Sequence, residues 1–121
     1  MSINWEKLGQ VEIEKILIDA ILKYLQENGG EASRREIKDA IIANDDDIAT
    51  FSQITKKSKN TGTEWSPFEY RSNFAIKNLS LAGIVDAPRR GNITLTDKGS
   101  NLNLDNLNIE KAVYSLTRPY W

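Results

Sequence analysis

The 121-residue sequence predicts a mainly α chain closed by one small β-hairpin. Three observations predict it. Apolar residues recur at helical spacing from Gln10 to Asn28, and two Ser-x-x-Glu capping boxes open further helices. Later, two short runs rich in β-branched residues flank the turn Pro88-Arg89-Arg90-Gly91-Asn92. The length is that of one domain, enough for a core without disulfide staples.

In the first element, Val11, Ile13, Ile16, Leu17, Ala20, Ile21, Tyr24 and Leu25 form the apolar stripe of a long helix, stopped by Asn28-Gly29-Gly30. Ser33-Arg34-Arg35-Glu36 is a capping box: hydroxyl and carboxylate accept from the free N–H groups of a helix start. That helix runs to about Ala43, with Ile37, Ala40 and Ile41 inward. Asp45-Asp46-Asp47 complements the positive dipole end of a third, shorter helix carrying Ile48, Phe51 and Ile54, and is read as that start rather than as a cation site.

Lys56 to Glu64 is polar, aperiodic and glycine-containing, the pattern of a loop. Ser66-Pro67-Phe68-Glu69 is the second capping box, with proline at the first helical position, where its missing N–H costs little. Its helix runs to Ala82 and ends at Gly83, a residue suited to the left-handed C-cap. Ile84–Ala87 and Ile93–Thr96 are the hairpin strands, and Thr96-Asp97-Lys98-Gly99 opens a short helix. Ile109, Ala112, Val113 and Leu116 give the end of the chain a helix from about Asn108 to Leu116. The expected organisation is one domain over 1–104 and a helical tail over 105–121. The bulky Tyr120-Trp121 end is expected to pack on the core or a partner, or to mark a truncation.

Composition removes much chemistry. With no cysteine and no histidine, disulfides, thiolate zinc, the commonest general base and every Ser-His or Cys-His pair are excluded. Only oxygen ligands remain for a metal, and no convincing carboxylate cluster stands out. The expectation is therefore a chain with no cofactor, no metal and no catalysis of its own. No apolar run approaches the ~18–20 residues of a membrane span, and the start lacks a signal-peptide core. A soluble, cytoplasmic protein with no membrane partner is expected.

The net charge of -1 argues against a nucleic-acid partner until it is resolved along the chain. Residues 1–50 carry 6 basic and 11 acidic side chains, residues 51–100 carry 8 and 4, and the last 21 carry two of each. The sequence is an acidic half joined to a basic one, and a basic half is a candidate polyanion face.

Helices followed by a hairpin with a basic tip describe a winged helix-turn-helix. In that architecture one helix enters the ~12 Å major groove of double-stranded DNA, and the hairpin reaches the backbone. At ~100° per residue, Phe68, Ala75, Leu79 and Ala82 form the core stripe of the helix from Pro67 to Ala82. Glu69, Tyr70, Asn73, Lys77 and Ser80 fall opposite. The candidate DNA contacts are Tyr70, Asn73 (an amide able to read adenine) and Lys77 on the helix, Arg89 and Arg90 on the hairpin tip, and Lys56 and Lys57 in the preceding loop. Arg71 projects between the faces, toward a phosphate or toward a carboxylate of the acidic half. Each of these also has a plain reading as a solvated surface residue; what tilts the balance is their coincidence on the elements a winged helix presents to DNA.

These residues carry a resemblance. Arg71, Phe74-Ala75, Leu79, Ala82-Gly83-Ile84, the basic turn Arg89-Arg90-Gly91 and Leu95-Thr96-Asp97-Lys98-Gly99 resemble the N-terminal winged-helix domain of Mrr-type restriction-system proteins. Ser33-Arg34-Arg35-Glu36-Ile37 after a long first helix is similar too, so the likeness covers about residues 10 to 104. Phe74 stands where tryptophan is common, and the tail beyond Asn103 falls outside. The resemblance implies the target-recognition domain of an endonuclease that acts on DNA, often modified DNA, through a separate PD-(D/E)xK nuclease domain. The one Glu-x-Lys here, Glu36-Ile37-Lys38, lies inside a helix behind its capping serine and is rejected as an active site.

Two other functions stay open. One is a stand-alone transcriptional regulator that binds DNA as a homodimer through its first and last helices. The other is a protein-interaction module working through the acidic half. Trp5, Trp65 and Trp121 are the nominal candidates for an aromatic cage around a flipped base.

Overall fold

A helix leaves its first N–H groups without partners, and several helices of this chain, those opened by Ser33, Asp45, Ser66 and Thr96 among them, begin on a side chain that accepts from them. The computed structural model describes residues 4–120. In chain order these form α1 (Gln10–Glu27), β1 (Glu31–Ala32), α2 (Arg34–Asn44), α3 (Asp46–Ser52), β2 (Lys56–Lys57), β3 (Glu64–Trp65), α4 (Pro67–Leu81), β4 (Val85–Asp86), β5 (Ile93–Leu95) and α5 (Asp97–Ser100). A π-helical stretch, Glu110–Tyr114, then runs into α6 (Ser115–Thr117). The fold is mainly α with a small antiparallel sheet, and its element order is winged-helix-like.

The caps are the predicted ones, with one difference. Ser33 makes the full box: its Oγ accepts from Glu36 N–H and its N–H donates to Glu36 Oε1, each at 3.0 Å. Those bonds, the backbone one foremost, hold the Glu36 carboxyl below the usual carboxylate range. Asp45 caps α3 by accepting from Asp47 and Ile48 N–H, as the acidic run predicts. Ser66 makes only half a box. Its Oγ accepts from Glu69 N–H at 3.2 Å, but the Glu69 carboxylate has turned away to cations on α2.

α4 ends as Gly83 predicts. At φ +77° the glycine lets its own N–H reach the Ser80 carbonyl while Ile84 N–H reaches Leu79. Lys98 Nζ donates to the Ala82 carbonyl at 2.8 Å, a cation on the negative helix end.

One core joins every layer. Leu17, Ile18, Ile21, Leu22 and Leu25 of α1 meet Ile37 and Ile41 of α2, Ile48 and Phe51 of α3, and Phe68, Ala75 and Leu79 of α4. Ile84, Val85 and Ile93 close it from the sheet side, and Val113 and Tyr114 join it from the tail. On α1 the buried stripe is wider than predicted: it takes in Ile18 and Leu22, while Val11 is 46% exposed. Tyr120 is exposed, and Trp121 lies outside the described residues.

Three further differences concern short elements. The predicted loop after Ile54 contains a second hairpin, with Lys56 opposite Trp65 and Lys57 opposite Glu64. All four side chains are exposed, so the pairing is carried by backbone hydrogen bonds and leaves no apolar alternation to read. β1 adds a third strand to the predicted pair, giving the order β1-β5-β4 with Ala32 opposite Ile93. The tail helix forms, but its first turns are π-helical.

The Leu95-Thr96-x-x-Gly99 motif has a steric explanation. Thr96 Oγ1 donates toward the Gly83 and Ile84 carbonyls and accepts from Gly99 N–H, which locks α5 against the end of α4. A Cβ at position 99 would lie 2.2 Å from the Ile84 carbonyl oxygen. Gly99→Ala is therefore expected to lower stability by about 1–3 kcal/mol or more in denaturant melts. Ser72→Ala is the contrast. The Ser72 Oγ is buried without a hydrogen-bond partner among the described residues, so its removal is expected to leave stability unchanged or raise it slightly.

Candidate nucleic-acid interface

The outward face of α4 is set by what its other faces hold. Glu14, on α1 and only 5% exposed, is met by Arg71 Nη1 at 2.8 Å, Asn78 Nδ2 at 3.0 Å and the Tyr114 hydroxyl at 3.4 Å. Of the two roles open to Arg71, pairing with the acidic half is the one observed. Its guanidinium also lies 4.6 Å from the centre of the Tyr70 ring and 5.3 Å from that of Phe74. Burial, and then the Glu14 charge, push the Tyr114 hydroxyl well above its ordinary range.

A second polar cluster ties α4 to α2. Lys38 Nζ donates to Glu69 Oε2 at 2.7 Å and to Asn73 Oδ1 at 2.9 Å, and Arg35 adds two bonds to Glu69 Oε1 at 3.3 Å. Partial burial works against the Glu69 carboxylate. Lys38 and Arg35 outweigh it and hold the carboxyl below its usual range.

Between these anchors, α4, the N-terminus of α2 and the β4–β5 turn enclose an open groove of about 450 Å³. Arg34, Asn73, Lys77, Ser80 and Arg89 supply its polar groups, over an apolar floor that includes Ile76 and Ala87. Three predicted residues, Asn73, Lys77 and Arg89, are thus brought together. Arg90 is exposed on the same turn. The groove offers cations and hydrogen-bond donors in a row, a surface suited to a polyanion.

The other predicted residues lie elsewhere. Tyr70 is exposed on the edge beside this face, 5.7 Å from the Trp65 ring centre and 4.9 Å from that of Phe74. Lys56 and Lys57 sit on the β2–β3 hairpin. Lys56 lines a separate cleft with Trp5, Trp65 and Arg71, away from the groove. Trp5 is a core residue stacked on Phe51 at 4.5 Å, and Trp65 is half exposed. Trp121 lies outside the described residues.

Sequence reasoning missed Arg34, Arg35 and Lys38. Arg34 was visible only as part of a capping box. Lys38 stands next to Ile37 and three residues before Ile41, on the rim of the buried stripe, and that position was the available signal.

Residues 15–103 match the Mrr N-terminal domain, most of the chain, and the protein belongs to that family. Membership associates it with Mrr-type restriction systems. No curated protein and no solved structure matches the chain. Among the described residues no helix is long and apolar enough to cross a membrane, and no group of three or more acidic side chains is arranged to hold a metal ion.

The two clusters predict opposite pH limbs. Glu69 has a lowered folded pKa, so its contribution is present above the unfolded value of about 4.3 and lost as pH falls through the folded one. Tyr114 has a raised one, so its contribution is present below about pH 10 and lost as pH rises beyond. In melts across pH, Glu69→Gln is expected to flatten the acid limb of Tm and Tyr114→Phe the alkaline limb. Unchanged limbs would contradict these assignments.

Proposed function

We propose that this chain is the DNA-recognition module of an Mrr-type restriction system. α4 enters the major groove of double-stranded DNA, modified or not, and residues 88–92 act as a wing on the sugar–phosphate backbone. The observation that carries this reading is the joint lining of one groove by Arg34, Asn73, Lys77, Ser80 and Arg89. An α-helix fits a groove ~12 Å wide, and the arginines flanking it neutralise phosphate charge. Family membership supports the same reading.

Cutting belongs to a separate nuclease domain. This chain has no histidine or cysteine, and both ends of its one Glu-x-Lys are engaged. Glu36 holds the Ser33 N–H, while Lys38 holds Glu69 and Asn73. A duplex-DNA partner fits a cytoplasmic setting.

Affinity for any duplex is expected to fall steeply with salt, because phosphate contacts release counterions. Replacing Arg89 and Arg90 together with Ala is expected to weaken binding to all sequences. The slope of log K against log salt should become shallower by about 2. An unchanged slope would remove the wing from the interface, and no binding at low salt would reject the reading.

A further inference from the structure

An asparagine amide carries one acceptor and two donor N–H groups, and in the major groove that combination ordinarily matches adenine N7 and N6–H₂. Asn73 is constrained differently. Its Oδ1 accepts from Lys38 Nζ at 2.9 Å. An ammonium only donates, so the oxygen must face Lys38 and Nδ2 must face away.

Lys38 is itself fixed. Its side chain is almost fully buried, and Nζ donates to Glu69 Oε2 at 2.7 Å. Arg35 holds the other oxygen of that carboxylate from the same helix, α2. Asn73 Nδ2 bonds no described residue, and Asn73 lines the groove beside Lys77 and Ser80. The group offered to a ligand there is a donor.

Given that α4 reads the major groove as proposed above, we infer that Asn73 is a specificity-determining residue for guanine and against adenine. Guanine presents two adjacent acceptors, O6 and N7, to the outward N–H₂. Adenine offers N7 as its one acceptor and sets its N6–H₂ donor beside it, against another donor, and cytosine offers only its N4–H₂. Thymine supplies one acceptor, O4, beside a methyl group. Lys38 is a positioning residue: it touches the amide, not the base.

The test is selection of duplexes from a random-sequence pool by the full chain at low salt, then affinities for the selected duplex and its single-base variants. The expected result is guanine at one position, where adenine weakens binding about tenfold. Asn73→Ala should erase that difference while other positions keep theirs. Lys38→Met releases Oδ1, and its preference at the same position should move toward adenine. Lys38→Arg still donates and should retain guanine.

A base other than guanine at the Asn73-dependent position, or no position that Asn73→Ala alters, overturns the inference even where Lys38→Met fails to fold. A folded Lys38→Met that keeps the full guanine preference overturns it as well. A pool that yields no bound duplex at low salt overturns the DNA-recognition reading itself.

Discussion

A carboxylate buried as deeply as Glu14 is unstable in a protein interior unless donors surround it, and here three do. Two of them, Arg71 and Asn78, stand seven residues apart on one side of α4, and the third, Tyr114, comes from the tail. Rotating α4 about its axis would strand the charge, and losing one partner of a buried pair costs about 3–5 kcal/mol. Burial of the Phe68, Ala75 and Leu79 stripe turns the same side inward but would tolerate small rotations within its width. The Glu14 cluster does not. It keeps Ala75 and Leu79 inward, and so Asn73 and Lys77 outward. The Lys38–Glu69 pair imposes the same rotation from α2.

Charge in the folded chain is arranged differently from charge along the sequence. Arg71 counts toward the basic half yet is committed to Glu14. Arg34, Arg35 and Lys38 count toward the acidic half, yet Arg34 lines the groove, and the other two offset the one carboxylate on the outward side of α4. A net of -1 is therefore compatible with a strongly polarised surface. The polarity follows α2, α4 and the β4–β5 turn rather than a boundary near residue 50.

The features legible in the sequence were those whose physics is local. Ser33-x-x-Glu36, Pro67 after Ser66, and Gly83 each satisfy or free a backbone group within four residues, and each was found where expected. Thr96 and Gly99 were legible as a motif, though the reason, the approach of α5 to the Ile84 carbonyl, is long-range. What escaped was non-local or unpatterned. β1 is two residues long and acquires its partners 61 and 63 positions later, at Ile93 and Thr94. The two strands of the β2–β3 hairpin expose every side chain and so carry no period. The candidate site divided the same way: its α4 face was legible from helical arithmetic, but the partners of Arg71 and Asn73 come from elements 57 and 35 residues away.

Membership of the Mrr N-terminal domain family gives the groove its context, and the two polar clusters give it its aim. On the proposed reading, α4 and the β4–β5 turn together meet DNA. Backbone amide NMR during titration with a short duplex tests it most directly. The expected result is shifts at Arg34, Asn73, Lys77, Ser80 and Arg89 that saturate together, with the outer face of α1 unmoved. Shifts concentrated on α1 and α3, with those five residues silent, would contradict it.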